Sequence, residues 1–271
     1  MRFVILLLWL TISLTASAQS FTAVSWLIAD ASGNTLAGEN TQAIRPIASV
    51  TKLMTVLVVL DQQHSESILV PIRRVKGIST RIDKKITRMS RAELISLAMI
   101  SSDNLAAYTL CSTIYESQVE NACVDAMNRK AQALGMINTR YVEATGLNPN
   151  NVSTAEDLVK LVLASQSYTA IVENSDRSSI KIIVDKKRQT THSNTNPLVG
   201  KYHNTIVSKT GWIRASGGCL VMLVRGETGN RVVIVLGSKN TRTRIAEAEI
   251  ISQLPDREDQ DWIYKYLRIQ R

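Results

Sequence analysis

Histidine and cysteine are scarce in this 271-residue chain, with His64, His192 and His203 on one side and Cys111, Cys123 and Cys219 on the other. None has metal-ligand spacing. There is no Cys-x-x-Cys, no Cys/His cluster and no His-Glu-x-x-His, so neither a metal nor any other cofactor is expected. A Ser-His-Asp hydrolase is equally disfavoured, because no Gly-x-Ser-x-Gly elbow is present. The histidines read as surface or loop residues, His192 and His203 being the two that could fall near a cleft. Three cysteines leave at least one thiol without an intramolecular partner. Cys111 and Cys123 fall on neighbouring predicted helices joined by a short turn, where a disulfide and two separate buried thiols are both open readings.

Five prolines and twelve glycines form no linker, and no internal repeat is visible. Long apolar runs are missing too, except at the start. Met1-Arg2 precedes a run from Phe3 to Leu14 that is apolar but for Thr11 and Ser13, followed by Ala16-Ser17-Ala18. That pattern is a secretory signal peptide over residues 1–18, the competing reading being an uncleaved anchor. Residues 19–271 then form a single domain, and at 45% hydrophobic composition they can bury a real core. The formal net charge is +9, with only Arg2 contributed by the leader. In an exported, periplasmic protein this suits an anionic cell-surface polymer, or peripheral contact with a membrane, better than nucleic acid.

Taken in order, Ala23-Val24-Ser25-Trp26-Leu27-Ile28-Ala29-Asp30 and Thr35-Leu36-Ala37-Gly38 read as a hairpin around the turn at residues 31–34. A helix over residues 51–60 should bury a stripe of Leu53, Val56, Leu57 and Leu60. Residues 68–88 are basic and irregular, either a solvated rim or a funnel for an acidic ligand. Capping boxes at Ser90-Arg91-Ala92-Glu93 and Ser153-Thr154-Ala155-Glu156 open further helices, and others are expected over residues 105–111, 119–134 and 243–254. The runs 205–209, 218–224 and 231–236 read as an antiparallel meander. The expected fold is therefore α+β: one antiparallel sheet from residues 21–45 and 202–254, with a mostly helical insertion over residues 50–175.

Three short motifs carry the chemistry. In Ser49-Val50-Thr51-Lys52 the amine lies on the same helical face as the hydroxyl, three residues on. A lysine partly desolvated there could take the serine's proton. Alone this is weak, since a Ser and a Lys three apart occur by chance about once in a chain of this length. Ser102-Asp103-Asn104 and Lys209-Thr210-Gly211 then follow in order, the last on a predicted strand just before Trp212. Ser-x-x-Lys, Ser-Asp-Asn and Lys-Thr-Gly together are the set shared by penicillin-binding proteins and class A β-lactamases.

On those motifs, and on Thr145-Gly146-Leu147-Asn148-Pro149-Asn150, Ser153-Thr154-Ala155-Glu156-Asp157-Leu158 and the His192 to Leu198 lead-in, the chain resembles the low-molecular-mass penicillin-binding proteins that act as D-alanyl-D-alanine carboxypeptidases and endopeptidases. The resemblance implies a β-lactamase/transpeptidase-like fold with a five-stranded antiparallel sheet and flanking helices. It also implies peptidoglycan peptide stems as substrate and β-lactam antibiotics as covalent inhibitors. Ser49 would be the nucleophile, Lys52 its base, Ser102 a proton relay to the leaving amine, and Asn104 a holder of Lys52 and of the substrate amide. Lys209, Thr210 and Gly211 would meet the substrate from the strand edge, and Arg244 would help hold a terminal carboxylate. The N–H groups of Ser49 and Trp212 would form an oxyanion hole, each donor contributing about 2.7 to 4 kcal/mol in the transition state. Neither lysine is expected to pack in the core.

The motif surroundings resemble the endopeptidase subgroup, the alternative being a carboxypeptidase that releases terminal D-alanine. A β-lactamase would also need a glutamate to position a deacylating water. The nearest candidate is Glu143, in surroundings that resemble the peptidases. A non-catalytic peptidoglycan binder should show a broken motif, and all three are intact.

Overall fold

The computed structural model describes residues 21–114, 120–200, 204–226 and 229–252. The proposed leader, His203 and the chain beyond residue 252 lie outside them.

Strands β1 (Ser25–Ala29) and β2 (Thr35–Glu39) form the expected hairpin, its turn closed by the Asp30 carboxylate, which accepts from the backbone N–H groups of Ser32 and Asn34. The chain then passes through β3 (Arg45–Pro46) and a 3₁₀ turn (Ala48–Val50) into α1 (Thr51–Asp61). The basic segment is partly ordered by the ribbon of β4 (Leu69–Pro71) with β5 (Arg88–Ser90). Helix α2 (Arg91–Met99) starts with the anticipated capping box, and α3 (Asn104–Thr113) is capped by Asp103. Helix α4 (Glu120–Ala133) ends before Gly135, and β6 (Val152–Ser153) pairs with β3. Helices α5 (Ala155–Ser165) and α6 (Thr169–Ser175) complete the helical region.

The cap of α5 differs from expectation. Thr154, not Ser153, accepts from the N–H of Asp157, while the Ser153 hydroxyl pairs with that of Thr139. A hairpin of β7 (Ser179–Asp185) and β8 (Arg188–Ser193), which the sequence did not announce, follows.

The meander is β9 (Thr205–Ile213), β10 (Gly217–Arg225) and β11 (Asn230–Ser238), closed by α7 (Thr241–Ser252). It joins the N-terminal hairpin in one antiparallel five-stranded sheet of order β2-β1-β11-β10-β9, with Leu27 opposite Ile234. Because β1, β10 and β11 are buried on both faces, they are apolar nearly throughout. Leu27, Val221, Leu223 and Ile234 face the helical region, while Trp26, Leu220, Met222 and Val235 pack towards Ala248 and Ile251 of α7.

Helix α1 is the centre of the helical region, not one of its walls. Every residue from Thr51 to Val59 is buried, where a single apolar stripe was expected, because α2, α3, α4, α5 and α6 all pack against it. Leu60, expected in the stripe, is only partly buried. The same enclosure corrects the expectation for the lysines: Lys52 is 0% and Lys209 1% exposed. Cys111 on α3 and Cys123 on α4 form a disulfide, and Cys219 is a buried free thiol.

Candidate active site

Ser49 sits in the 3₁₀ turn that opens α1, directly after Ala48, whose φ of +47° is in the left-handed region. Two glycines make that turn accessible. A Cβ on Gly146 would lie 2.0 Å from the Ala48 carbonyl oxygen, and one on Gly211 would lie 2.8 Å from the Ser49 nitrogen. Only bare backbone can approach the Ser49 peptide so closely from both sides.

The Lys52 amine touches three oxygens: Ser49 Oγ at 2.8 Å, Asn104 Oδ1 at 2.7 Å and the Thr145 carbonyl at 2.5 Å. A neutral amine has two N–H donors and one lone pair. The amide and carbonyl oxygens can only accept, so they take both donors. The lone pair is left for the Ser49 hydroxyl. Burial favours this neutral form, bringing the Lys52 pKa down to about 7 against the opposing pull of Glu143 and Asp103.

Asn104 is itself oriented, its Nδ2 donating to Ser79 Oγ at 2.8 Å. Asp103, between the two polar residues of its motif, braces the loop: its carboxylate accepts from Thr80 Oγ1, from the Arg81 N–H and from the Ala106 N–H at the start of α3. Ser102 adopts φ +56° and accepts from Lys209 Nζ at 2.8 Å. Strain of this kind in a non-glycine residue persists where the surroundings over-determine it.

Strand β9 is the outer edge of the sheet. Lys209 Nζ donates also to the Thr210 carbonyl at 2.8 Å. By the two-residue repeat of a strand, the Trp212 N–H points to the same side as that carbonyl. Thr210 Oγ1 donates to Thr195 Oγ1 at 2.6 Å. Burial, with Lys52 and Arg244 as cationic neighbours, holds the Lys209 pKa well below the usual lysine range.

Arg244 reaches the same strand from α7. Its Nη1 donates to the Gly211 carbonyl at 2.6 Å and the residue is 6% exposed, so it braces the strand next to the Lys-Thr-Gly motif. His192 corrects an expectation. It is buried on β8, its Nε2 within 2.9 Å of Thr190 Oγ1, with a pKa lowered by burial. His64 is exposed as expected.

The fold thus brings Ser49, Lys52, Ser102, Asn104, Lys209, Thr210, Gly211 and Trp212 to one cleft. Sequence reasoning missed Ser79, Thr80 and Asn151. Glu143, noticed as a candidate for placing a deacylating water, is otherwise engaged. Oε2 accepts from the Thr145 N–H at 2.7 Å and from Thr145 Oγ1 at 2.6 Å; Oε1 accepts from the Gly146 N–H at 2.5 Å and from Asn151 Nδ2 at 2.7 Å. With the Asn148 N–H also 3.5 Å from Oε1, these donors fill the roughly four lone-pair sites of a carboxylate. Among the described residues no cluster of His, Cys, Asp or Glu could hold a metal ion.

A model of the D-alanyl-D-alanine carboxypeptidase family matches residues 12–240. A D-alanyl-D-alanine endopeptidase of Pseudomonas aeruginosa is 37% identical over 238 residues, 85% of this chain and 76% of its own. One from Escherichia coli is 36% identical over 242 residues, 86% of this chain and 77% of its own. Among solved structures, penicillin-binding protein D2 of Listeria monocytogenes in its ampicillin-bound form superposes with a TM-score of 0.76 at 26% identity, covering 87% of this chain and 97% of that one.

Proposed function

The chain belongs to the D-alanyl-D-alanine carboxypeptidase family, and on that premise we propose that it is a serine peptidase cutting D-alanyl bonds in the peptide crosslinks of peptidoglycan. The observation that carries this reading is the Lys52 amine, with two acceptors on its N–H groups and Ser49 Oγ 2.8 Å away. Ser49 Oγ attacks the D-alanyl carbonyl as its proton passes to Lys52. The Ser49 and Trp212 N–H groups hold the oxyanion. When the C–N bond breaks, the departing amine takes a proton through Ser102, which Lys209 contacts, and water then hydrolyses the ester on Ser49.

Cleavage of crosslinks is favoured over release of terminal D-alanine because the two relatives above are both named endopeptidases. A carboxypeptidase, the activity for which the family is described, is the second reading. Penicillin should acylate the same serine, as the ampicillin-bound relative suggests. With the acceptor sites of Glu143 occupied by its own loop, the adduct should persist. Such a substrate calls for export to the periplasm, for which residues 1–18 would be the leader. The basic surface would allow peripheral contact with a membrane, though no described helix is long and apolar enough to cross one.

Two measurements test the reading. Intact mass after penicillin treatment should show one adduct on the wild type and none on Ser49→Ala. Crosslinked muropeptide dimers should be cut faster than monomeric pentapeptides lose D-alanine; the reverse order would make the protein a carboxypeptidase.

A further inference from the structure

We propose that Glu143 is a positioning residue for acylation, whose carboxylate holds the Thr145 peptide so that its carbonyl takes one Lys52 N–H and the amine's lone pair is aimed at Ser49. This rests on the acyl-enzyme reading above and deepens it. Among the described residues, the Thr145 carbonyl is one of two pure acceptors on the Lys52 amine. Its position depends on a tight turn in which Gly146 has φ +80°. Such a turn points successive N–H groups inward, and an anion placed there fixes it. Glu143 supplies that anion, bonding the Thr145 and Gly146 N–H groups and the Thr145 hydroxyl.

The turn is also tied to the catalytic helix. Asn151 is fully buried, and its Oδ1 accepts from the Val142 and Glu143 N–H groups. Its Nδ2 reaches the Glu143 carbonyl, the Glu143 carboxylate and Thr51 Oγ1 on the first residue of α1. Helix, turn and carboxylate therefore move as one body. Lys52 is one residue beyond Thr51, so both partners of the Lys52–Thr145 bond are referred to the same frame.

The carboxylate also acts through its charge. When the Ser49 proton arrives, Lys52 becomes an ammonium in a buried site. Glu143 and Asp103 stabilise that cation, whereas the Lys209 amine, when charged, opposes it. Removing the charge at residue 143 should make Lys52 easier to deprotonate and harder to protonate.

The experiment follows the rate of Ser49 acylation by a fluorescent penicillin against pH, with thermal melting beside it, for wild type, Glu143→Gln and Glu143→Asp. Glu143→Gln turns one acceptor oxygen into a donor facing the turn. It should slow acylation on the order of a hundredfold, as expected for a displaced reacting group. It should also move the acidic limb of the profile to lower pH. Glu143→Asp keeps the charge but falls one methylene short, so its rate should drop while the limb stays near the wild-type position.

A Glu143→Gln protein with the wild-type rate, or a slow one whose limb has not moved, overturns the proposal, the second result indicating a purely structural role. If Glu143→Gln does not fold, Glu143→Asp decides: acylation at the wild-type rate overturns the proposal, and a slow rate with an unmoved limb supports it. Failure of the wild type itself to be acylated would overturn the peptidase reading and this inference together, and would show before any variant is compared.

Discussion

A lysine is a useful base only if it is neutral, and at Lys52 the enclosure of α1 supplies that condition. Its pKa is brought from 10.5 to about 7, so the proton-accepting form is the minor one below that pH and the major one above it. Acylation of Ser49 by penicillin should therefore climb with pH through an apparent pKa of about 7 and level off beyond it. Lys52→Ala should remove that limb and cost roughly 10²- to 10⁴-fold in rate. Stopped-flow measurement of acylation between pH 5 and 9 would check both, and a wild-type rate flat across that range would sink the assignment. The groups that the fold brings together at the cleft were legible in the sequence because they lie in three short motifs whose spacing the chemistry constrains. Ser79 and Asn151 were not, since each acts through a partner that only folding brings close: Ser79 through the amide of Asn104, and Asn151 through a carboxylate eight residues earlier and a threonine at the head of α1. Arg244 was legible as a position near the strand, while its bond to the Gly211 carbonyl was not, because nothing local foretells that contact.

The elements that carry these groups are fastened to one another. Asn104 is the first residue of α3, and the far end of that helix is bound to α4 by the disulfide between Cys111 and Cys123. Helix α4 in turn meets α1 where Thr55 Oγ1 lies 3.7 Å from Met127 Sδ. The crosslink spans only 12 residues of sequence. Its removal by the Cys111→Ser/Cys123→Ser double substitution should cost about 2 to 4 kcal/mol of stability. Urea unfolding followed by circular dichroism would show this as a lower midpoint with little change of slope; an unchanged midpoint would mean that packing alone joins the helices. Capping residues made most helices readable, as at Ser90 and Glu93. The hairpin of β7 and β8 was not readable, because its turn is Lys186-Lys187, without the glycine or asparagine that marks tight turns, and exposed Ile183 blurs its alternation.

At the scale of the whole molecule, the net charge of +9 should draw the enzyme to a polymer bearing many carboxylates. Raising ionic strength from about 0.05 to about 0.5 M should slow digestion of intact peptidoglycan while leaving cleavage of short soluble dimers nearly unchanged, since screening acts on the long-range attraction. Turbidity clearance beside chromatographic assay of dimers gives the comparison; equal slowing of both would place the salt effect in the cleft itself. The plan of the sheet was legible because its long apolar runs, those of β1, β10 and β11, are each bounded by turns. That plan has a temporal consequence. Strand β1 is synthesised long before β11, yet Ser25 has Leu236 as its partner. Until β11 arrives, Trp26-Leu27-Ile28 has an unpaired edge, a hazard for association with other chains. Contacts so distant in sequence also make folding slow. Ser49, the Thr145 turn and the Lys209 strand lie far apart along the described chain, so a fragment that stops short of β9 lacks part of the proposed site, and activity should appear only after β11 has paired with β1.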